Sequence, residues 1–331
     1  MRTKTSAYVE DTSKIAVHAF LPLLRRTIVT YPYKMDETKG RKRPKRKERP
    51  LTYASHLDSL IFSYYAYQLQ NKYEEYVKRE QLGDVVVAYR KIKCKDGKGN
   101  KCNIHIAGDV FQYVKTCIAR DDEVALITFD IKGFFDNLDH KVLKRNWKKI
   151  LGVSDMPADV YNIFKHTTRY SYITEEHLFS LFKDAILCQS NGKYKHRKVK
   201  QLRYMREANA VAFCERKDLP KIRESGFLEK NTSNIGIPQG LPISAVLANV
   251  YMCDFDKNVA SRLKAANGIY KRYSDDIVVV CPIKDASSLC DYITDEIDKV
   301  NLEIQKEKTN LFEIHIIHGK TVCLHETKGG K

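Results

Sequence analysis

The strongest constraint on the fold is a set of short apolar segments that end or begin at carboxylates. Residues 124–130 (VALITFD) are apolar and end at Asp130, and residues 269–273 and 277–280 are separated only by Ser274, Asp275 and Asp276. Short β-branched runs bounded by turn residues indicate strands. Apolar residues recur at helical spacing over 57–77, 104–117, 243–251 and 289–300, which predicts helices. We therefore predict an α+β chain whose acids lie at strand ends.

These acids favour a metal site. Two adjacent carboxylates in a half-buried hairpin repel each other and resist loss of water. Divalent cations remove that cost, because hard metal ions take oxygen ligands. If the strand that ends at Asp130 lies beside the hairpin of Asp275 and Asp276, three carboxylates converge and suit two ions about 4 Å apart. The alternatives are an ordinary Asp-Asp β-turn and a simple strand-end residue at Asp130.

The positive charge of the chain is clustered. Its 331 residues include 58 Lys and Arg against 41 Asp and Glu, a net charge of +17. Residues 39–49 hold eight basic residues and one acid, and residues 191–224 hold eleven and four, so that each segment contributes +7. Such clusters are typical of proteins with a polyphosphate partner, and interleaved rings such as Tyr194 and Tyr204 can stack on bases. A solvated basic loop or an acidic-lipid contact is the alternative. The predicted nucleic-acid-binding residues are Lys42, Arg43, Lys45, Arg46, Lys193, Lys195, Arg197 and Lys198.

Several classes of protein are excluded by the sequence. No apolar stretch is long enough to span a bilayer, and no secretory signal pattern opens the chain. The nine cysteines include no Cys-x-x-Cys pair, so we expect reduced thiols in a cytoplasmic protein without a membrane partner. Local patterns further predict a short helix within 15–24, a flexible arm at 39–50 and a short strand at 85–89.

Three segments then resemble, in order, the palm motifs of reverse transcriptases. They are residues 129–138 (FDIKGFFDNL), 236–244 (GIPQGLPIS) and 273–276 (YSDD), followed by Lys308 and Thr309. The resemblance extends from about Tyr53 to Phe312. It is to bacterial enzymes of the retron, group II intron and abortive-infection or defence-associated kinds. It implies a right-hand polymerase fold with fingers and an antiparallel palm sheet packed on helices, together with Mg²⁺-dependent DNA synthesis.

The resemblance also implies roles for individual residues. Asp130, Asp275 and Asp276 would be catalytic and, with Ile131, would bind two Mg²⁺ ions, with Mn²⁺ as a substitute. Phe135 matches a steric gate against ribonucleotides, and a core phenylalanine is its alternative. The predicted dNTP-binding residues are Arg90, Lys101, Phe134, Phe135, Pro238, Gln239, Gly240 and Lys308. A solvated or surface position is the alternative for Lys101 and Lys308, and a plain helix-entry turn is the alternative for 238–240.

The sequence also departs from the family pattern. Ser274 stands where alanine is familiar in bacterial relatives, and the interval from Asp130 to Pro238 is long and basic. No clear primer-grip motif follows Thr309, so we expect the thumb to be reduced, absent or supplied by a protein partner or a second copy. No ribonuclease H, integrase or His-Asn-His pattern is present, which favours a dedicated host role over a mobile element.

These observations predict four regions and one function. The regions are a basic N-terminal extension (1–50), fingers (51–129), a palm (130–315) with a basic helical insertion at about 140–234, and a tail or the start of a reduced thumb (316–331). The function is an RNA-directed DNA polymerase that copies a cognate structured noncoding RNA into cDNA from dNTPs in bacterial anti-phage defence. The alternatives are a template-independent or protein-primed DNA polymerase and a non-catalytic RNA-binding scaffold.

Overall fold

The computed structural model describes residues 2–36, 40–42, 46–94 and 97–325. The chain divides into two compact units, and each is built from several segments. The first unit comprises Met1–Tyr64, Pro157–Ser233 and Pro238–Pro242. The second unit comprises Tyr65–Met156, Asn234–Ile237 and Ile243–Lys331. The predicted boundaries of extension, fingers, palm and tail remain predictions.

Helices and strands alternate along the part of the chain that the structure describes. The α-helices are α1 (Arg2–Glu10), α2 (Thr12–Ala16), α3 (His56–Arg79), α4 (Asn103–Ile118), α5 (Phe134–Asn137), α6 (His140–Leu151), α7 (Ala158–Thr168), α8 (Glu175–Phe182), α9 (Leu219–Glu224), α10 (Ser244–Tyr251), α11 (Cys253–Ala265) and α12 (Ala286–Lys299). The strands are β1 (Leu23–Thr30), β2 (Lys34–Asp36), β3 (Gly40–Lys42), β4 (Lys47–Tyr53), β5 (Val124–Asp130), β6 (Ser171–Thr174), β7 (Ile186–Ser190), β8 (Lys193–Arg197), β9 (Ala210–Ala212), β10 (Glu229–Lys230), β11 (Ile269–Tyr273), β12 (Asp276–Pro282), β13 (Asn310–Ile317) and β14 (Lys320–His325). Short 3₁₀ turns lie at Leu202–Tyr204, Arg216–Asp218, Ile283–Asp285 and Lys306–Lys308.

The first unit contains small sheets around its own core. One sheet has the order β10-β6-β1-β4, in which β1 runs parallel to β6 and antiparallel to β4. Another has the antiparallel order β8-β7-β9, and β2 pairs with β3. Ile186 and Cys188 of β7 are fully buried and pack with Ile173, Phe182 and Ile222. Alternate residues of β7 therefore anchor the basic strand β8 to this core.

The second unit is built on a five-stranded antiparallel sheet of order β11-β12-β5-β13-β14. Helix α4 covers one face, where Val110 and Val114 join a buried cluster with Val124 of β5 and Val280 of β12. On the other face, the ring of Phe255 in α11 meets the ring of Tyr270 edge-on, at 6.1 Å between centroids. Because side chains alternate along a strand, β5 and β12 have apolar residues on both faces, as expected for central strands.

A buried ion pair joins α11 to β11 in the second unit. Arg272 and Asp256 are both fully buried, and the guanidinium Nε and Nη2 donate to the two carboxylate oxygens at 2.7 Å each. Tyr270 also donates to Asp256, and Asn249 accepts from Arg272 at 3.3 Å. Burial alone would lower the pKa of Arg272, but the Asp256 carboxylate outweighs it and raises that pKa. Arg272 therefore remains charged inside the core.

The helices predicted at 57–77, 104–117, 243–251 and 289–300 are confirmed as α3, α4, α10 and α12. The strands at 124–130, 269–273 and 277–280 are confirmed as β5, β11 and β12. Among the residues that the structure describes, no helix is both long and apolar enough to cross a membrane.

Other local predictions were wrong, because long-range pairing overrides local pattern. Instead of one helix within 15–24, α2 ends at Ala16 and β1 begins at Leu23. Within the predicted flexible arm at 39–50, residues 40–42 form β3 and residues 47–50 belong to β4, in which Pro50 is tolerated because β4 is an edge strand. Residues 39 and 43–45 of that arm lie outside the described residues. The predicted strand at 85–89 is reduced to a single bridge at Val86. The segment 140–234, predicted to be helical, also contains β6–β10.

We predict that Arg272→Met lowers the free energy of unfolding by about 3–5 kcal/mol, because it leaves the carboxylate of Asp256 buried without its partner. Urea denaturation followed by circular dichroism measures this change. Arg262→Met is the matched control, since Arg262 is exposed on the same helix as Asp256. Equal stabilities of the two variants would contradict the importance of the buried pair.

Candidate active site

Two of the predicted catalytic acids are direct neighbours across the central strands of the second unit. Asp130 ends β5 and Asp276 begins β12, and the two residues are register partners in the antiparallel ladder. Side chains of such partners lie on the same face, with Cβ atoms about 5 Å apart. Asp130 is largely buried, with 17% of its side chain exposed, whereas Asp276 is exposed. The prediction that Asp130 lies beside the hairpin acids agrees with this register.

The third acid, Asp275, lies in the tight turn between β11 and β12. Its carbonyl oxygen accepts from the backbone N–H of Ile131 at 3.1 Å, which ties the turn to the residue after Asp130. The preceding residue, Ser274, has a left-handed backbone with φ of 62°. This turn therefore places Asp275 next to the pair formed by Asp130 and Asp276. Ile131 itself is buried, and its predicted part in metal binding remains a prediction.

The electrostatics of Asp276 reflect its partial loss of water and the acids beside it. Loss of water raises the pKa of Asp276, and the negative charges of Asp275 and Asp130 raise it further. Lys308 opposes this shift, and its ammonium donates to both carboxylate oxygens of Asp130 at 3.0 Å. Lys308 ends the 3₁₀ turn Lys306–Lys308, and Thr309 separates it from β13. The cluster thus favours the approach of a positive charge.

The oxygen donors of the three acids fit a hard divalent cation, although their side chains are not arranged as a set of metal ligands in this structure. Among the residues that the structure describes, no group of three His, Cys, Asp or Glu side chains is positioned to hold a metal ion. Asp130, Asp275 and Asp276 nevertheless offer only carboxylate oxygens, the donors that Mg²⁺ and Mn²⁺ prefer. The ammonium of Lys308 forms an ion pair with the carboxylate of Asp130.

Phe134 and Phe135 follow Asp130 in the short helix α5 and have different environments. Phe134 is buried, and its ring contacts that of Phe135 edge-on at 5.6 Å between centroids. Phe135 is half-buried, and its carbonyl oxygen accepts from the N–H of Ile237 at 2.9 Å. This contact requires glycine at position 236. The backbone there has φ of +86°, and any Cβ would lie 2.8 Å from the carbonyl oxygen of Asp136, which is too close. Residues 236 and 237 are therefore attached to the motif at 129–138.

Arg90 and Lys101 are engaged with other protein groups. The guanidinium of Arg90 donates to both oxygens of Glu74 at 2.9 and 2.7 Å, and to the carbonyl oxygens of Gly83 and Val86. Lys101 donates to Asp109 at 2.5 Å. Contact of either side chain with a triphosphate requires these bonds to be exchanged, and their dNTP-binding roles remain predictions.

Pro238, Gln239 and Gly240 belong to the first unit, whereas the three acids belong to the second. The carbonyl oxygen of Gln239 accepts from both the backbone N–H and the hydroxyl of Thr52, at 2.8 and 2.9 Å. Gly240 has φ of +114°, and an added Cβ would lie 2.6 Å from the Thr52 carbonyl oxygen. The glycine therefore permits close packing of this turn on β4. The side chain of Gln239 is exposed, and its contact with a nucleotide remains a prediction.

The predicted nucleic-acid-binding residues fall into two groups. Lys193, Lys195 and Arg197 alternate along the exposed strand β8 and so share one side of it, while Lys198 forms an ion pair with Asp184 at 2.7 Å. In the N-terminal group, Arg46 pairs with Glu48 at 2.9 Å and Lys42 lies in β3. Arg43 and Lys45 lie outside the described residues.

Two residues near the acids were missed by sequence reasoning. The hydroxyl of Tyr89 donates to the hydroxyl of Ser274 at 3.1 Å, and Arg272 donates to the carbonyl oxygen of Ser274 at 3.1 Å. The sequence does contain a signal for Arg272. It lies two residues after Tyr270 in β11, so the two side chains share one face of the strand, and a charged residue on a buried face needs a partner. For Tyr89 the local sequence offers no signal, since the contact joins residues 185 positions apart.

Comparison with known proteins agrees with this geometry. Residues 205–318 match the family described as reverse transcriptase (RNA-dependent DNA polymerase), a segment that includes Asp275, Asp276 and Lys308. Residues 205–318 of this chain are therefore similar to part of a reverse transcriptase domain. This match, together with the fold, supports an RNA-directed DNA polymerase. A search of curated proteins gives no significant match.

Solved structures of telomerase resemble the fold. A C-terminally truncated apo telomerase from Candida tropicalis is 12% identical, with a TM-score of 0.50, over 99% of this chain and 55% of that one. Telomerase from Candida albicans, in complex with a TWJ fragment of telomeric RNA, is 14% identical, with a TM-score of 0.50, over 93% and 45%. This chain thus spans about half the length of those proteins. At such identities the likeness establishes only the fold, and the predicted α+β right-hand polymerase class is confirmed.

We predict that Lys308→Met strengthens Mn²⁺ binding about three- to tenfold, because the ammonium no longer competes for both oxygens of Asp130. Isothermal titration of the protein without nucleic acid measures the affinity. Lys320→Met, at an exposed position of β14, is the matched control for the loss of one positive charge. Unchanged or weaker Mn²⁺ binding in Lys308→Met alone would contradict the assignment of Asp130 as a metal ligand.

Proposed function

We propose that this protein copies a structured RNA into cDNA by metal-dependent nucleotidyl transfer. The observation that carries the proposal is that the backbone register brings Asp130, Asp275 and Asp276 to one end of the central sheet, in a chain whose residues 205–318 match reverse transcriptases. Three carboxylates with so little positive charge beside them are costly to keep together unless cations bind there. A scaffold that only binds RNA has no need of this cluster.

In this proposal Asp130, Asp275 and Asp276 would hold two Mg²⁺ ions. Two such ions, when bound, stabilise the attacking hydroxyl oxygen and the leaving pyrophosphate oxygen of an in-line displacement. The chain contributes the geometry, because the β5–β12 register aligns Asp130 with Asp276 and the Ile131 N–H holds the backbone of Asp275. Lys308, whose ammonium already lies on Asp130, is suited to neutralise charge that develops on the phosphates.

The same proposal assigns nucleotide selection to residues outside the acidic cluster. Phe135 is half-buried in α5, five residues after Asp130, where a ring can crowd a ribose 2′-hydroxyl. Gln239 is exposed next to Gly240, whose lack of a side chain lets the backbone approach closely. Arg90 would exchange its bonds to Glu74 for phosphate oxygens, since a guanidinium forks onto either group.

We further propose that the template is a structured noncoding RNA made for this enzyme. The exposed cations of β8 supply a sequence-independent attraction for phosphates, and Tyr194 is 60% exposed between them. The Candida albicans telomerase with the same fold was solved with a fragment of telomeric RNA. A role in bacterial anti-phage defence rests on the sequence resemblance of the region from Tyr53 to Tyr65 to defence-associated relatives.

The decisive experiment is to purify the protein with the RNA it retains, add Mg²⁺ and labelled dNTPs, and sequence both RNA and product. DNA complementary to one co-purified RNA supports templated synthesis and identifies the template. DNA without an RNA counterpart favours an untemplated polymerase, and retained RNA without any DNA favours the scaffold.

We predict that the double variant Asp275→Asn with Asp276→Asn loses DNA synthesis by at least a thousandfold, because neutral amide oxygens bind divalent cations far more weakly than carboxylates do. Its affinity for the retained RNA, measured by filter binding, should stay within about twofold. Asp291→Asn, at an exposed position of α12, controls for the loss of an acid. Substantial synthesis by the double variant would refute the metal-site assignment.

We predict that changing Lys193, Lys195 and Arg197 together to Gln weakens RNA binding and reduces the slope of log K against log salt by about 2. The reason is that each lost phosphate contact on a single strand removes about 0.7 from the slope. The matched control changes three exposed lysines of α3 and α4, which are Lys72, Lys78 and Lys115. An equal effect of both variants would show a response to net charge instead of a contact at β8.

A further inference from the structure

Tyr89 and Ser274 form an unusual pair in the second unit. Both are non-glycine residues in the left-handed backbone region, with φ of 61° and 62°, and their hydroxyl groups are hydrogen-bonded at 3.1 Å. A bulky aromatic residue rarely adopts this conformation. Such a conformation persists only where the surroundings impose it, and it is concentrated at functional sites.

The chain around Tyr89 is fixed on both sides. Before it, Val85 accepts from the backbone N–H of Arg272 at 2.9 Å, and Val87 donates to the Arg272 carbonyl oxygen at 3.1 Å. The carbonyl oxygen of Ala88 accepts from the side chain of Asn249 at 3.0 Å. After it, Arg90 is clamped by its four bonds to Glu74, Gly83 and Val86. These contacts hold the left-handed turn at Tyr89 in place.

Ser274 is likewise held from two directions. Its carbonyl oxygen accepts from Arg272, whose guanidinium is anchored by Asp256 in the core. Its hydroxyl accepts from Tyr89, and only 3% of the residue is exposed. The next residue along the chain is Asp275. Bonds to Ser274 therefore limit the movement of the turn that carries this carboxylate.

We propose that Tyr89 is a positioning residue for Asp275 and acts through the hydroxyl of Ser274. The inference rests on the proposed function, because it gives a catalytic purpose to the stiffness of this turn. Repulsion from Asp130 and Asp276 pushes Asp275 outward, and the Tyr89–Ser274 bond opposes that displacement. Preorganised acids need less rearrangement when substrate arrives. The hydroxyl of Ser274 supplies the acceptor that this arrangement requires.

The ring of Tyr89 also borders the turn. Its centroid lies 6.4 Å from that of Tyr273, and 44% of Tyr89 is exposed. Tyr89→Phe keeps the ring and its packing while it removes only the donor. Ser274→Ala removes only the acceptor. Because the two variants delete the two ends of one bond, they form a double-mutant cycle for that bond.

The first test is hydrogen exchange of the free protein, which requires no activity. Tyr89→Phe and Ser274→Ala should each speed exchange in the peptide that contains residues 273–276 by about three- to tenfold. Exchange in residues 278–281 of β12 should not change. Tyr67→Phe, at an exposed tyrosine of α3, is the matched control. Unchanged exchange at the turn in both variants would overturn the proposal.

The second test is the kinetics of DNA synthesis. Each variant should reduce kcat about five- to twentyfold with little change in KM for dNTPs, and the double variant should be no slower than either single one. Independent, multiplying losses would show that Tyr89 acts other than through Ser274 and would overturn the proposal. A wild-type protein without synthesis would refute the proposed function, whereas the exchange experiment would still decide whether Tyr89 holds the turn.

Discussion

The buried pair of Arg272 and Asp256 organises the second unit. A charge in the core is tolerable only when its partner and further hydrogen-bonding groups surround it, and here Tyr270 and Asn249 complete that shell. The same guanidinium donates to the carbonyl oxygen of Ser274, while the backbone of Arg272 bonds to Val85 and Val87. The side chain of Arg272 thus links the core helix α11 to the turn that carries Asp275. The backbone of Arg272 links the same strand to the segment before Tyr89.

The acidic cluster depends on this rigidity. Loss of water raises the pKa of Asp276, the negative charges of Asp275 and Asp130 raise it further, and Lys308 opposes this shift only in part. Left to relax, such acids would move apart. They stay together because β5 and β12 are paired along their whole length and because the turn is bonded on several sides. The stability of the sheet therefore maintains an arrangement that favours bound cations.

Much of this could be predicted from the sequence where the signal is local. The apolar runs of β5 and β12 and the helical periodicity of α3, α4 and α12 agree with the structure, because burial and backbone period act on neighbouring residues. Predictions failed at 15–24 and 85–89, where pairing with distant strands or a left-handed residue decides the conformation. The ion pair of Arg90 with Glu74 could not be predicted either, since the local sequence does not distinguish a phosphate-binding arginine from a structural one.

The sequence by itself determined the elements of the catalytic proposal, because three motifs in order carry the acids, the glycines and the phenylalanines. It also determined where positive charge accumulates. Only the tertiary structure decided that Asp276 faces Asp130 in register, that Lys308 lies on Asp130 and that Tyr89 holds Ser274. The physical reason is that hydrogen bonds and ion pairs act over a few ångströms. They therefore depend on which distant residues the fold brings together, and a linear pattern does not record that proximity.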